Sequence, residues 1–451
     1  MDYYPVKPKE KFSQSMAFKG IIIVILTLLM LIPGAMIRSL IRERQERSEE
    51  SISLINAKWS KAQSVIGPVL SIPYTTTEKD DNNRLRTYHR VLNIVPAELD
   101  VKARLFPEER HYGIYKTILY KSEQVFVGSF DKVVLSQLPP NNSYNLAAAS
   151  IRIGLSDLRG VADNVSFDMG GRKFTAEPAG NSDNFLGEVL VINLRDAGLL
   201  TSDDRLPFSF NLDLKGSSSI SYLPVARTTS VEIEGAWQNP GFTGTYTPDY
   251  TLDDNSFDAK WKILSFNRPI SEYWTDDDIS SYWDCYFGVN LVSPVDHYQQ
   301  NMRSAKYMFM FIALTFVAMF FVEVLTRRRV HPLQYILVGI ALTLFYSLLL
   351  SISEQLGFAL AYLIASAATV GLIAAYMGSV FKGRTPTLIL ALILALLYLY
   401  LYAILQLEDS ALLAGSIGLF VILALIMFVS RKVNWYHQSD PADPAAAPQV
   451  E

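Results

Sequence analysis

A chain of 451 residues with 50% hydrophobic and only 19% charged residues is too apolar for one water-soluble domain and long enough for two or three. Its formal charge of −4 leaves no electrostatic footprint for nucleic acid, so no nucleic-acid partner is expected. A single cysteine, Cys285, excludes an intrachain disulfide framework and CxxC chemistry.

The chain opens with a short segment, residues 1–17, that carries Lys7, Lys9 and Lys11. An apolar run with no charge follows over residues 20–37, and residues 18–37 are read as a first membrane-spanning helix, since a span needs roughly 20 apolar residues. The run is longer than the apolar core of a signal peptide, so an uncleaved anchor is expected. Residues 38–66 then read as a charged helical stalk, with Arg42 and Glu46, and Glu43 and Arg47, at i,i+4 spacing. Gly67 and Pro68 are expected to end it.

From residue 67 to 305 the period changes from 3.6 to 2. Leu99, Val101, Ala103 and Leu105 alternate with polar residues, as do Phe208, Phe210, Leu212 and Leu214, and Phe257, Ala259, Trp261 and Ile263. This is the pattern of half-buried antiparallel strands, and "DDNN", "LPPNNS" and "NPGFTG" punctuate it as turns. An all-β antiparallel sandwich or rolled sheet is predicted.

Five further apolar runs fill the last third, at residues 307–326, 332–353, 356–381, 385–407 and 410–430, so residues 307–431 are read as a bundle of five spanning helices. The predicted fold class is therefore a polytopic α-helical membrane protein of about six spans, with a large all-β domain (residues 38–306 with its stalk) inserted between the first and second. The positive-inside rule threads it with both termini cytoplasmic. Lys19, Arg327 to Arg329, Lys382, Arg384, Arg431 and Lys432 fall on the inner side, and the short outer loops carry only acids. Residues 432–451, rich in Pro and Ala, read as a disordered cytoplasmic tail.

Candidate chemistry is sparse. No HExxH, phosphate loop, GxGxxG or GxSxG element occurs, and the five histidines are scattered, so no catalytic residue, cofactor or metal is expected. "SFDK" at residues 129–132 and "SDN" at 182–184 imitate two penicillin-binding elements, but Ser129 ends an alternating run instead of opening a helix. "TDDD" at residues 275–278 reads as a helix cap and not as a calcium loop. Ionisable and amide groups in the bundle are the remaining functional candidates: Glu354, Gln355, Gln406, Glu408 and Asp409. Glu354, Gln355, Glu408 and Asp409 fall at outer helix ends, where hairpin tips in contact with water account for them, and Gln406, an amide within a helix end, would be satisfied by hydrogen bonding between helices. Glu323, one turn before Arg327, reads as a local ion pair. Ala361, Ala365, Ala368, Gly371, Ala375 and Gly378 form a small-residue stripe suited to close helix packing, continued by Ala391 and Ala395. Tyr398, Tyr400 and Tyr402 suit an interfacial aromatic belt.

Several stretches together resemble the CreD family of bacterial inner-membrane proteins. They are "LLMLIPGAMIRSLIRERQERS", "HYGIYKTILYKS", "IGLSDLRG", "YFGVNLVSPVDHYQQNMRSAKYMFMFIALTFVAMFFVEV", "LQLEDSALLAGSIGLF" and, most specifically, the section from "RRRVHPLQY" to "EQLGFALAYL". The resemblance implies a role in cell-envelope integrity, linked to a two-component system, β-lactam response and colicin tolerance, with no established catalytic residue. It also implies a Gram-negative inner membrane and a periplasmic β domain. The expected activity is non-enzymatic, through the lipid bilayer and envelope or peptidoglycan-associated protein partners. The alternative is a transporter or lipid-handling protein that uses the C-terminal bundle.

Overall fold

The computed structural model describes residues 16–79, 85–131, 142–180, 186–195, 200, 205–275, 282–291, 297–326, 330–407 and 410–431. The chain divides into two compact units, Met1–Arg47 with Val295–Glu451, and Ser48–Pro294. Its helices are α1 (Met16–Leu29), α2 (Leu31–Trp59), α3 (His297–Lys306), α4 (Met308–Thr326), α5 (Pro332–Leu356), α6 (Phe358–Phe381), α7 (Arg384–Gln406) and α8 (Ala411–Ser430). Among the described residues six stretches are long and apolar enough to span a membrane, one in α1 with the start of α2 and five in α4 to α8, and in chain order the β unit comes between the first and the second.

Pro33 accounts for the break between α1 and α2. It has no N–H to offer the Leu29 carbonyl, while Met30 N–H to Leu26 O (3.1 Å) and Gly34 N–H to Met30 O (3.2 Å) continue the helix on either side. Beyond the apolar stretch α2 becomes charged, with Arg47 and Glu43 paired at 2.7 Å. It ends at Trp59, earlier than residue 66. Gly67 and Pro68 lie inside the strand Gln63–Lys79, where the pairing with Ser150–Leu155 shifts register between Ile66 and Val69. Gly67 has φ +107°, and a Cβ there would stand 2.9 Å from the Arg152 carbonyl oxygen. The Gly-Pro pair thus marks a β-bulge and not a helix stop.

The β unit is a two-sheet sandwich. One sheet runs Pro240–Gly244, Phe287–Leu291, Ser219–Leu223, Gln63–Lys79, Ser150–Leu155, Glu188–Asn193 and Glu177–Pro178. Its strand Gln63–Lys79 also pairs with Leu85–Ile94 and Ser143–Tyr144. The other runs Asp249–Leu252, Phe257–Leu264, Thr228–Gly235, Glu98–Tyr112, Tyr115–Phe130, Leu206–Asn211, Ser166–Met169 and Arg172–Thr175. The alternating residues read from the sequence are all buried, in one core fed by both sheets. Trp261 of the second sheet meets Phe287 of the first with ring centroids 5.4 Å apart, and the Tyr222 hydroxyl donates across to Gln124 Oε1 at 2.7 Å. Most pairs are antiparallel, but Gln63–Ile66 runs parallel to Ile220–Leu223, and Glu98–Leu105 parallel to Thr228–Gly235. Alternation specifies which face is buried and says nothing of strand direction, so the sheets are mixed where an antiparallel arrangement was expected.

In the other unit, α3 belongs with the bundle. It buries Tyr298, Asn301, Ser304 and Ala305 and touches α4, α5, α6 and α7, so the compact unit begins at Val295 and not at residue 307. Periodicity for a spanning helix misses it because it is short and polar. The small-residue stripe on α6 divides. Ala361 and Ala365 are buried, while Ala368, Gly371 and Ala375 face outward in this unit, because the buried face runs on through Thr369, Ile373 and Met377. Ala391 is half-buried and Ala395 exposed.

Candidate functional site

Two ends of the bundle follow from its hairpins. The tip end holds the α5–α6 turn, and the basic end holds Lys19, Lys382, Arg384 and Arg431. At the tip end, α5 stops at Leu356 because Gly357, at φ +77°, turns the chain directly into α6. Glu354 in this last turn is half-buried and accepts a hydrogen bond from the Tyr298 hydroxyl at 3.1 Å. One residue before it, Ser353 Oγ accepts from Asn301 Nδ2 at 2.8 Å and donates to the Leu350 carbonyl at 2.9 Å. The i, i+3 spacing of Tyr298 and Asn301 puts both on one face of α3, opposite Ser353 and Glu354 of α5.

Deeper in the bundle lies a shell of rings. Phe345 meets Tyr346, Tyr362 and Tyr398 edge to face at centroid distances of 4.8, 5.6 and 4.7 Å, and Phe311 lies 4.6 Å from Tyr398. The Tyr362 hydroxyl donates to the Tyr398 carbonyl at 2.7 Å. Five buried oxygens of α3 and the ring shell, Gln300 Oε1, Asn301 Oδ1, Ser304 Oγ and the Tyr346 and Tyr398 hydroxyls, have no hydrogen-bond partner among the described residues. Buried polar atoms without a partner are costly, and they mark this layer as the bundle's polar site.

Of the sequence candidates, Glu354 alone enters this layer. Gln355 and Gln406 are exposed, and Glu408 and Asp409 lie outside the described residues. Sequence reasoning missed Tyr298, Asn301 and Ser304, whose signal was a polar face repeating at helical spacing just before the apolar run. It also misread the tyrosines of α7. Tyr398 is buried in the ring shell and Tyr402 packs against Tyr362 at 5.1 Å, while Tyr400 points to α8, so an i, i+2, i+4 set divides between helix faces instead of forming a belt.

A second site sits at the basic end. Glu323 of α4, with a side chain only 6% exposed, is ion-paired with Lys19 of α1. Its Oε1 also accepts the Val330 N–H (3.0 Å), and its Oε2 accepts the Tyr335 hydroxyl (3.0 Å). Lys19 stands 304 positions away in sequence, and Arg327, the local partner expected from spacing, lies outside the described residues. Next to it, "HPLQY" starts α5 with a capping box. The Leu333 N–H donates to His331 Nδ1 (3.3 Å), the His331 N–H donates to Gln334 Oε1 (2.9 Å), and Pro332 stands at the first helical position.

In the β unit, the "SDLRG" stretch, residues 156–160, clamps the end of α2. Asp157, its side chain 3% exposed, accepts from the Arg159 N–H, Nε and Nη2 at 3.1, 2.9 and 2.8 Å and from the Lys61 N–H at 3.1 Å. Burial alone pushes this carboxyl up, but the Arg159 guanidinium and the two backbone donors outweigh it and hold it below the usual carboxylate range. Arg159 Nη1 donates to the Ala57 carbonyl at 2.8 Å, satisfying one of the open acceptors at the end of α2. Gly160 is required by closeness, since a Cβ would fall 2.2 Å from Gln63 Nε2 and 2.5 Å from the Lys215 carbonyl oxygen. That Nε2 already donates to Ser60 Oγ (2.8 Å) and the Asp157 carbonyl (2.9 Å). Ser129 lies within the strand Tyr115–Phe130, and Lys132, Ser182 to Asn184 and Asp276 to Asp278 lie outside the described residues. Among the described residues, no group of three or more His, Cys, Asp or Glu side chains is set to hold a metal.

One family model extends over all of these parts, the first span, the β sandwich and the five later spans. The family model described as "Inner membrane protein CreD" matches residues 15–436. The chain belongs to the CreD family. It is 32% identical over 420 residues to the inner membrane protein CreD of Escherichia coli (strain K12), covering 92% of this chain and 92% of that protein. The CreD match includes both bundle sites and the Asp157 clamp, and it makes this chain an inner-membrane protein with several spanning helices.

Proposed function

We propose that this protein supports the integrity of the bacterial cell envelope without catalysis, as a tethered β domain that contacts envelope or peptidoglycan-associated proteins. In this reading residues 38–306 face the periplasm and both termini the cytoplasm, and the envelope-stress, β-lactam and colicin responses follow from those contacts. The observation that carries it is a separately cored β unit, Ser48–Pro294, inserted between the first span and the other five. Bases at one end of the bundle support the orientation. A candidate contact is Phe266, 96% exposed on the turn Ser265–Asn267. Asn267 pins that turn, accepting from the Leu264 N–H at 3.3 Å through Oδ1 and from the Tyr246 hydroxyl at 2.8 Å through its carbonyl. A substrate path through the bundle is disfavoured by the ring shell around Phe345.

Cys285, the sole cysteine, is buried, so an added cysteine is readily tracked. Phe266→Cys is expected to react with a membrane-impermeant maleimide in cells whose outer membrane alone is opened, and Arg384→Cys only after the inner membrane is breached. The reverse pattern would overturn the orientation. A strain lacking the protein is expected to change its detergent and colicin response and to regain the normal one with the full chain. An unchanged response would overturn the envelope role.

A further inference from the structure

An apolar groove of about 630 Å³ lies between α4, α7 and α8. Ala318 and Phe321 of α4, Leu396 of α7, and Val421 and Leu425 of α8 line its walls. Tyr400 and Gly418 line the end nearer the tip. The Tyr400 ring passes over Gly418, where a Cβ would fall 1.9 Å from the hydroxyl, and that hydroxyl donates to the Gly415 and Ala414 carbonyls at 3.1 and 3.3 Å. From there the groove runs toward the basic end, past Leu325, Ile389 and Val429. Arg431 follows Val429 by two residues on α8, and Arg384 precedes Ile389 by five on α7, both exposed.

Length, lining and charge agree on one occupant. The α4 wall, Leu314 to Leu325, spans about 17 Å at 1.5 Å per residue, close to the half-thickness of roughly 15 Å of a 30 Å hydrocarbon slab. The walls are almost wholly apolar, whereas the lining residues toward the basic end, Ile389 and Val429, lie within five positions of two exposed cations, Arg384 and Arg431. We infer that the groove between α4, α7 and α8 holds one acyl chain of an anionic phospholipid, with Arg384 and Arg431 at its headgroup. Such a lipid fills the seam between α8 and the rest of the bundle, which α8 otherwise meets chiefly through α7. Close packing, and not hydrophobic exclusion from water, drives helix association in a bilayer, so a fitted chain there adds contacts that bulk lipid does not.

Native mass spectrometry of the full-length protein, exchanged from detergent into mixtures of phosphatidylglycerol and phosphatidylethanolamine, tests this. One retained lipid with preference for phosphatidylglycerol is expected. Ala318→Phe, from the α4 wall, is expected to lower retention about tenfold, the loss that follows from displacing two buried methylenes. Val421→Phe, from the α8 wall, should do the same and decides the matter if the first variant does not fold. Leu423→Phe, on α8 but outside the groove lining, should leave retention unchanged. Arg384→Gln with Arg431→Gln should abolish the preference between headgroups while a lipid is still retained. Equal retention of both lipids by the wild-type protein, or retention in both wall variants like that of the wild type, would overturn the site.

Discussion

Asp157 in the β unit and Glu323 in the bundle are both carboxylates largely shut away from solvent, yet they collect their partners from different distances along the chain. Asp157 takes three donors from Arg159, two residues on, and a fourth from Lys61. Glu323 takes an ammonium from Lys19, 304 positions earlier, a hydroxyl from Tyr335 and a backbone N–H from Val330. The first arrangement fastens one helix end to one domain. The second joins the N-terminal span to α4 and to the start of α5, so closing this unit depends on it.

That contrast predicts a graded series of losses. Glu323→Leu strands the Lys19 ammonium, and a cost of about 3 kcal/mol is expected, at the low end for a buried pair because Lys19 is 31% exposed. Thermal unfolding of the bundle in detergent reads this, and adding Lys19→Met should return part of it. No recovery in the double variant would mean the two residues act separately. Gly160→Ala forces a Cβ into Gln63 and the Lys215 carbonyl, costing about 2 to 3 kcal/mol. Five of the six tryptophans lie in residues 48–294, so tryptophan fluorescence during urea unfolding should show the β unit melting early with the bundle unaffected.

Asp157→Asn comes next, at about 2 kcal/mol for charge-assisted hydrogen bonds, and it carries a pH signature. Because the folded carboxyl is held below its unfolded value, its stabilisation is fully present above about pH 4 and is lost as pH falls through the folded value. Wild type and variant should therefore converge in stability in acid, and a constant gap from pH 7 downward would refute the assignment. Asn301→Ala, which removes the bond to Ser353, should cost only about 1 kcal/mol, the scale of hydrogen bonds between helices in bilayers. Arg104→Ala, which breaks an exposed pair with Glu234, should leave the urea midpoint of the β unit essentially unchanged.

The same contrast explains what the sequence alone reveals. Six spans and a β domain are legible because burial repeats at fixed periods, and Phe208, Val101 and Trp261 lie in the core where alternation puts them. The two parallel strand pairs are not legible, since direction leaves no trace in a period of two. Glu354 stands out as a lone acid between apolar runs, but its partner Tyr298 sits on a short polar helix with no spanning signature. Glu323 invites a local partner at Arg327, and only the fold brings Lys19 to it. Motif-local contacts such as Asp157 with Arg159 are readable from two positions; contacts between segments brought together by the fold are not.

In the proposed function the envelope role resides in contacts of the β unit. It is tested most directly by rescue of a strain lacking the protein with a chain ending at Pro294, at the boundary between the units. This version keeps the first span, the whole of α2 and the β unit, and omits α3, whose buried face needs the bundle. With the truncated protein shown to be membrane-bound and protease-resistant, the account predicts a restored detergent and colicin response. Rescue by the full chain alone would contradict it and move the function into the bundle.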